Sequence, residues 1–209
     1  MKLIIDKIFS TTLCCIDDLL ESEDINNMKK HIINSSKEIG KKENWQSSHD
    51  PKLHNHPKYK ALTLKVLEYS KTYLDELLYE YDDFYISGMW SNILKSGEFH
   101  SPHKHSNNFL SGVYYVQAKN TAGIYFIDPK PQSGVLQPHA KTWTKDNSTT
   151  WSYPSITNRM IIFPSWLMHY VPINKTEHDR ISISFNIMFK GEIGRPDYFQ
   201  SNIFTENLK

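Results

Sequence analysis

The apolar positions of this 209-residue chain change their period near residue 83. Up to that point they recur at helical spacing. Ser22-Glu23-Asp24 can start a helix, and Ile25, Met28, Ile32 and Ile33 follow on one side of it. Lys58 to Tyr81 reads as a longer helix with Leu67, Leu74, Leu77, Leu78 and Tyr81 as its apolar stripe. Residues 41–57 between them are polar and carry Pro51 and Pro57, so a loop is expected there.

Beyond residue 83 the pattern is strand-like and punctuated by Gly and Pro. Phe84–Leu94, Phe109–Gln117, Gly123–Ile127, Met160–Phe163, Tyr170–Ile173 and Arg180–Phe189 are the candidate strands. Residues 129–157 are polar and rich in Ser, Thr and Pro, so they are expected to form a loop or irregular insert of the kind that covers sites. In "RISISFNIMF", Arg180, Ser182, Ser184 and Asn186 share one face, and Ile181, Ile183, Phe185 and Ile187 share the other. A solvated face in so Lys-rich a chain should carry Lys and Glu. Small Ser and Asn beside an Arg suit the wall of a polar pocket instead. The apolar face needs a cover, which the N-terminal helices can supply. The pattern therefore predicts a mainly β, barrel-like sandwich, polar inside and backed by helices.

Composition narrows this only a little. With 39% hydrophobic and 13% aromatic residues the chain can build a core. Its length fits one domain: residues 1–83 an N-terminal strand and supporting helices, 84–190 the β core, 191–209 a tail. A net charge of +1 gives no reason to expect nucleic acid or membrane as partner. Cys14 and Cys15 are the only cysteines, and their adjacency excludes a disulfide framework, so buried or half-buried free thiols are expected. Asp6 and Lys7 interrupt the apolar N-terminal run, no small-residue cleavage site follows, and no stretch of ~18 apolar residues occurs. A soluble, cytoplasmic protein is expected.

The chemistry concentrates in "HSPHKHSNN", which holds three of the ten histidines. On a strand, His103 and His105 point the same way and can converge on a metal. His100, three positions before His103, has the wrong parity, and Ser101-Pro102 breaks the ladder between them because Pro102 cannot donate a backbone hydrogen bond, so His100 is set aside. An H-x-H pair alone is equally at home in a solvated loop. His54 and His56 in "LHNHP" form such a pair with no strand after it, and are assigned to the surface. His103 instead leads into "NNFLSGVYYV". Later, in "MIIFPSWLMHYVPIN", His169 stands between two strands, and Arg180 follows eleven residues on. Only three arginines occur, so Arg180 at the head of a pocket face looks chosen for its planar fork, which grips a carboxylate.

H-x-H, a distal His and R-x-S together resemble the 2-oxoglutarate/Fe(II)-dependent dioxygenases. With "SGVYYV", "FPSWLMH" and "RISISFN", the chain is similar to a bacterial and phage branch of that superfamily over residues 84–190. The resemblance implies a double-stranded β-helix core, jelly-roll or cupin-like, with Fe(II), 2-oxoglutarate and O₂ as cofactors. It implies that His103 and His169 are metal ligands and that Arg180 and Ser182 bind the far carboxylate of 2-oxoglutarate. Tyr115 would donate its hydroxyl to the same carboxylate, and Trp90, Asn92 and Asn186 would line the substrate side. The superfamily usually has a carboxylate where His105 stands. Either His105 completes an all-histidine triad, or Asp128 of "FIDPKP" does so and His105 stands behind. The implied activity is a hydroxylase-type oxidation coupled to conversion of 2-oxoglutarate to succinate and CO₂. The substrate, a small molecule or a protein side chain, is not legible, and a homodimer is left open. Three rival readings remain. A three-His cupin-like metalloprotein that does not use 2-oxoglutarate leaves Arg180-x-Ser182 without a purpose. A three-His zinc hydratase or hydrolase would differ in its bound metal. A non-enzymatic jelly-roll binding or virion protein would show no metal dependence.

Overall fold

Two antiparallel sheets face each other in the computed structural model, which describes residues 1–36, 46–47, 50–130, 135–136, 138–195, 197 and 199–205. In chain order the elements are β1 (Cys14–Ile16), α1 (Ser22–Ser36), β2 (Gln46–Ser47), α2 (Lys60–Glu76), β3 (Asp83–Leu94), β4 (His100–His103) and β5 (Leu110–Gln117). Then come β6 (Ile124–Ile127), β7 (Thr150–Tyr153), β8 (Met160–Pro164), β9 (His169–Val171), β10 (Arg180–Arg195) and β11 (Gln200–Phe204). The larger sheet runs β1-β8-β5-β10-β3-β2, with β11 added to β10. The smaller runs β4-β9-β6-β7. This is the helix-backed jelly-roll that the pattern and the resemblance predict. The expected loop at 41–57, insert at 129–157 and tail at 191–209 fall partly on residues outside those described, namely 41–45, 48–49, 131–134, 137, 196, 198 and 206–209.

Side-chain alternation on β10 explains the layering. Ile181, Ile183, Phe185, Ile187 and Phe189 pack with Met28 and Ile32 of α1 and Leu62, Val66, Tyr73 and Leu74 of α2. The opposite face carries Arg180 and Ser182, both buried toward the smaller sheet. The space between the sheets is not polar throughout. Val113, Tyr115, Ile124, Phe126, Ile161, Phe163 and Leu167 form a second apolar cluster there. Gly112 keeps β5 against its neighbours, since a Cβ on it would lie 2.2 Å from the Phe185 ring and 2.8 Å from the Ile161 carbonyl oxygen.

Several expectations need correction. α2 is shorter than 58–81, and its buried stripe is Leu62, Val66, Ser70, Tyr73 and Leu74. Leu77 caps the helix, and Leu78 follows in a left-handed conformation (φ 57°), its side chain exposed. The stripe is earlier because the three-and-four spacing from Leu62 faces the sheet, whereas Leu78 belongs to the turn that closes the helix, its N–H donating to the Asp75 carbonyl (3.0 Å). Within 129–157, β7 is a strand paired to β6 from Ile124↔Tyr153 to Ile127↔Thr150. β10 runs on to Arg195 and pairs with β11, so the expected tail contains a hairpin. Cys14 is half-buried, but Cys15, on the other face of an edge strand, is exposed. His56 packs against His31 of α1, the rings tilted with centroids 4.4 Å apart, so this member of the second H-x-H contributes to helix packing. Among the described residues no helix is long and apolar enough to cross a membrane.

Candidate metal and cosubstrate site

Three histidines meet where the two sheets open. His169 begins β9 opposite His103 of β4. His105 lies just past the end of β4, its backbone N–H donating to the Ser165 carbonyl (3.0 Å). The pair therefore does not share a strand face as expected; the turn after β8 carries His105 into place. The ring centroids are 4.4 Å apart for His103 and His169, and 5.2 Å for His105 to each of the others. One ring nitrogen from each residue lies within 4.8 Å of the other two, and among the described residues no other group of His, Cys, Asp or Glu converges this way.

The backbone sets which nitrogen each ring offers. His103 Nδ1 lies 2.7 Å from the Ser101 carbonyl and His169 Nδ1 lies 2.8 Å from the Leu167 carbonyl. A carbonyl oxygen only accepts, so Nδ1 carries the proton and, in the neutral ring, Nε2 keeps its lone pair. Burial pushes the His169 pKa down to about 3; the Leu167 bond opposes this, and His103 and His105 add to it. Burial, then His103, pushes His105 down to about 4. Both are neutral donors at physiological pH, and three imidazoles suit a borderline divalent metal such as iron or zinc.

The same cavity, about 310 Å³, runs from Trp90 and His105 past the other two histidines to Arg180 and Ser182. Arg180 is 2% exposed. Its Nε donates to the Ala122 carbonyl (3.1 Å), its Nη1 to Ser182 Oγ (3.0 Å), and its guanidinium carbon sits 4.9 Å from the Tyr115 ring centroid. Among the described residues no acidic side chain lines the cavity, so a buried cation faces it without a carboxylate in that lining. A buried guanidinium in such a setting can receive an anionic ligand.

Residues 88–186, which hold all of these groups, match the family described as "Putative 2OG-Fe(II) oxygenase". Over that stretch, just under half of its length, the chain is similar to that family. With it come Fe(II), 2-oxoglutarate and O₂ as cofactors, and the donor set above fits both the metal and a dicarboxylate. No curated relative matches the oxygenase. Its fold is similar to that of a prolyl-4-hydroxylase from Pseudomonas putida (TM-score 0.62, 11% identity, 87% of this chain and 95% of that one). It is also similar to HygX from Streptomyces hygroscopicus, solved with nickel, 2-oxoglutarate and hygromycin B (0.59, 11%, 85% and 83%). A third likeness is to the alpha ketoglutarate dependent epimerase SnoN from nogalamycin biosynthesis (0.63, 9%, 87% and 77%).

The remaining candidates of the oxygenase divide. Trp90 and Asn92 line the cavity, Trp90 with its ring 5.8 Å from that of His105 and Asn92 donating to Ser184 Oγ (3.0 Å). Asn186 does not line it. Its Oδ1 accepts from Ser111 Oγ (2.8 Å), which is also 2.8 Å from Ser165 Oγ, so these three side chains tie the turn under His105 to the large sheet. Tyr115 is wholly buried under Arg180 and likewise does not line the cavity. Burial raises its pKa, and the Arg180 charge works against that. Asp128 is not in the histidine cluster; it follows β6, where its Oδ1 accepts from the Lys130 backbone N–H (3.0 Å). His100, set aside on parity, does line the cavity. Its pairing explains why. His100 faces Val171 and His103 faces His169, three residues of β4 against two of β9. The extra residue is a bulge at Ser101-Pro102, and a bulge shifts parity by one. Pro102, which cannot join the ladder, is the signal in the sequence that could have revealed it.

Proposed function

We propose that this oxygenase holds Fe(II) on His103, His105 and His169 and binds 2-oxoglutarate with Arg180 and Ser182, to hydroxylate a substrate that enters past Trp90 and Asn92. The observation that carries the proposal is the meeting of three histidines and one buried arginine in a single cavity that, among the described residues, no carboxylate lines. When bound, the metal and cosubstrate supply the oxidation, in which O₂ is consumed, 2-oxoglutarate yields succinate and CO₂, and a substrate C–H bond gains oxygen.

The chain's own contribution is placement. The Ser101 and Leu167 carbonyls hold the rings of His103 and His169 with Nε2 inward. Arg180 neutralises the far carboxylate and, fixed by Ala122 and Ser182, sets its position. Tyr115 serves the same carboxylate by supporting Arg180 from below. Val113, Ile124, Phe163 and Val171 give the lining an apolar part that limits water at the reacting atoms. A protein side chain or a small molecule as substrate is in keeping with neighbours named for prolyl hydroxylation and for a bound antibiotic.

Anaerobic addition of 2-oxoglutarate to the Fe(II)-loaded protein tests the reading. A metal-to-ligand charge-transfer band in the visible is expected, followed by succinate when air is admitted. Absence of the band at saturating 2-oxoglutarate would overturn it.

A further inference from the structure

His100 is the one histidine in the cavity that the metal cluster leaves out. Its ring is 6.4 Å from that of His103, and its Nε2 is shielded from solvent. Among neighbouring charges, Arg180 acts on it most strongly, ahead of His103 and His169. Val171, its partner across the ladder, and Ile124 line the same stretch of wall. His100 thus lies along the path from the histidine cluster to Arg180, the path an extended dicarboxylate would follow.

We propose that His100 is a cosubstrate-binding residue, brought inward by the bulge at Ser101-Pro102, that donates a ring N–H to the far carboxylate of 2-oxoglutarate beside Arg180. The inference rests on the cosubstrate reading above. A neutral imidazole suits this role, because it adds an N–H donor beside Arg180 without a second positive charge. One arginine cation then meets one carboxylate, and the imidazole takes up a further oxygen lone pair that a dry pocket would otherwise leave without a hydrogen bond. The bulge has a purpose on this account. A regular β4 would turn His100 to the outside and leave that end of the cavity to Val171 and Ile124.

The test uses Zn(II)-loaded protein and calorimetry with two ligands, 2-oxoglutarate and 2-oxopentanoate, which chelates alike but lacks the far carboxylate. His100→Leu should keep its metal, bind 2-oxoglutarate about tenfold more weakly, and bind 2-oxopentanoate as the wild type does. His100→Gln, which retains an N–H donor, should stay within about threefold for both. Unchanged 2-oxoglutarate affinity in His100→Leu overturns the proposal, as does equal weakening of both ligands or loss of zinc. If His100→Leu does not fold, imidazole ¹⁵N–¹H spectra of the wild type decide. The His100 signal, assigned by its loss in His100→Gln, should move on adding 2-oxoglutarate and stay on adding 2-oxopentanoate; a static signal overturns the proposal. Should wild-type protein bind 2-oxopentanoate but not 2-oxoglutarate, the far-carboxylate assignment of Arg180 and His100 falls together. If it binds neither, the cosubstrate reading itself falls.

Discussion

Replacing His105 by Asp is the most informative single change at the metal, because a carboxylate there is the more usual partner of two histidines in such oxygenases. His105→Asp should still bind Fe(II), while His105→Ala should weaken binding clearly, and His103→Ala or His169→Ala should lose most of the iron. Metal content after dialysis against limiting Fe(II) reads all four. Full iron affinity in His105→Ala together with loss in Asp128→Ala would remove the three-histidine assignment. At the other end of the cavity, Arg180→Lys keeps the charge but loses the fork that now spans Ala122, Ser182 and the cavity. It should cost ~1–3 kcal/mol of 2-oxoglutarate binding and leave metal content unchanged. Retained 2-oxoglutarate affinity in Arg180→Ala would show that Arg180 is not the carboxylate receptor.

The strands and helices respond through packing rather than chemistry. Gly112→Ala would drive a methyl group into the Phe185 ring, so a loss of ~1–3 kcal/mol is expected, read by denaturant unfolding; an unchanged midpoint would mean that β5 and β10 can separate freely. In hydrogen exchange, the amides of β7 that pair with β6 should be slow, while residues 138–149, exposed almost throughout, should exchange fast. Uniformly fast exchange across 138–153 would show that the edge pairing is not stable, and slowing of 138–149 when substrate binds would mark that loop as a lid. These elements also show what was legible beforehand. The two faces of Arg180–Phe189 were plain because an alternating period needs no outside information, and Arg180 and Ser182 stood out on one of them, whereas His103 and His169 were picked out by the H-x-H spacing and the family resemblance. β7 was hidden because Trp151 and Tyr153 are two aromatics among scattered apolar residues in a mostly polar run, and its partner β6 lies more than twenty residues away. The inward turn of His100 was missed because the break at Ser101-Pro102 was read as separating His100 from His103, whereas it is a bulge that restores its parity. His105 meets the other two histidines by another route than the shared strand face that was expected: the turn under it is fixed by the Ser111–Ser165–Asn186 contacts between distant segments, which no local pattern encodes.

At the scale of the whole molecule, the cavity places several neutral imidazoles inside one fold, and that couples stability to pH. Burial is the first cause of the depressed pKa of His100 (about 3), His105 (about 4) and His169 (about 3). In the unfolded chain each titrates near ~6.5. The folded pKa lies below the unfolded one, so between those values the unfolded chain binds protons that the folded chain refuses. Stability is therefore full above pH ~6.5 and is lost as pH falls toward ~4. For His169, only 4% exposed, the slope approaches roughly 1.4 kcal/mol per pH unit once well below its unfolded pKa. The Asp17 and Asp75 carboxyls, held low first by hydrogen bonds from Arg159 and Lys71, respond only in more acid solution. The window from pH 6.5 to 4.5 thus isolates the histidines. Metal-free protein should lose thermal stability steadily across it, and His100→Gln, with one such imidazole fewer, should show a shallower fall. Melting curves at half-unit steps of pH measure both. A Tm that does not change between pH 6.5 and 4.5 would mean that these rings can reach water and protonate in place, and the dry cavity on which the cosubstrate site depends would not exist.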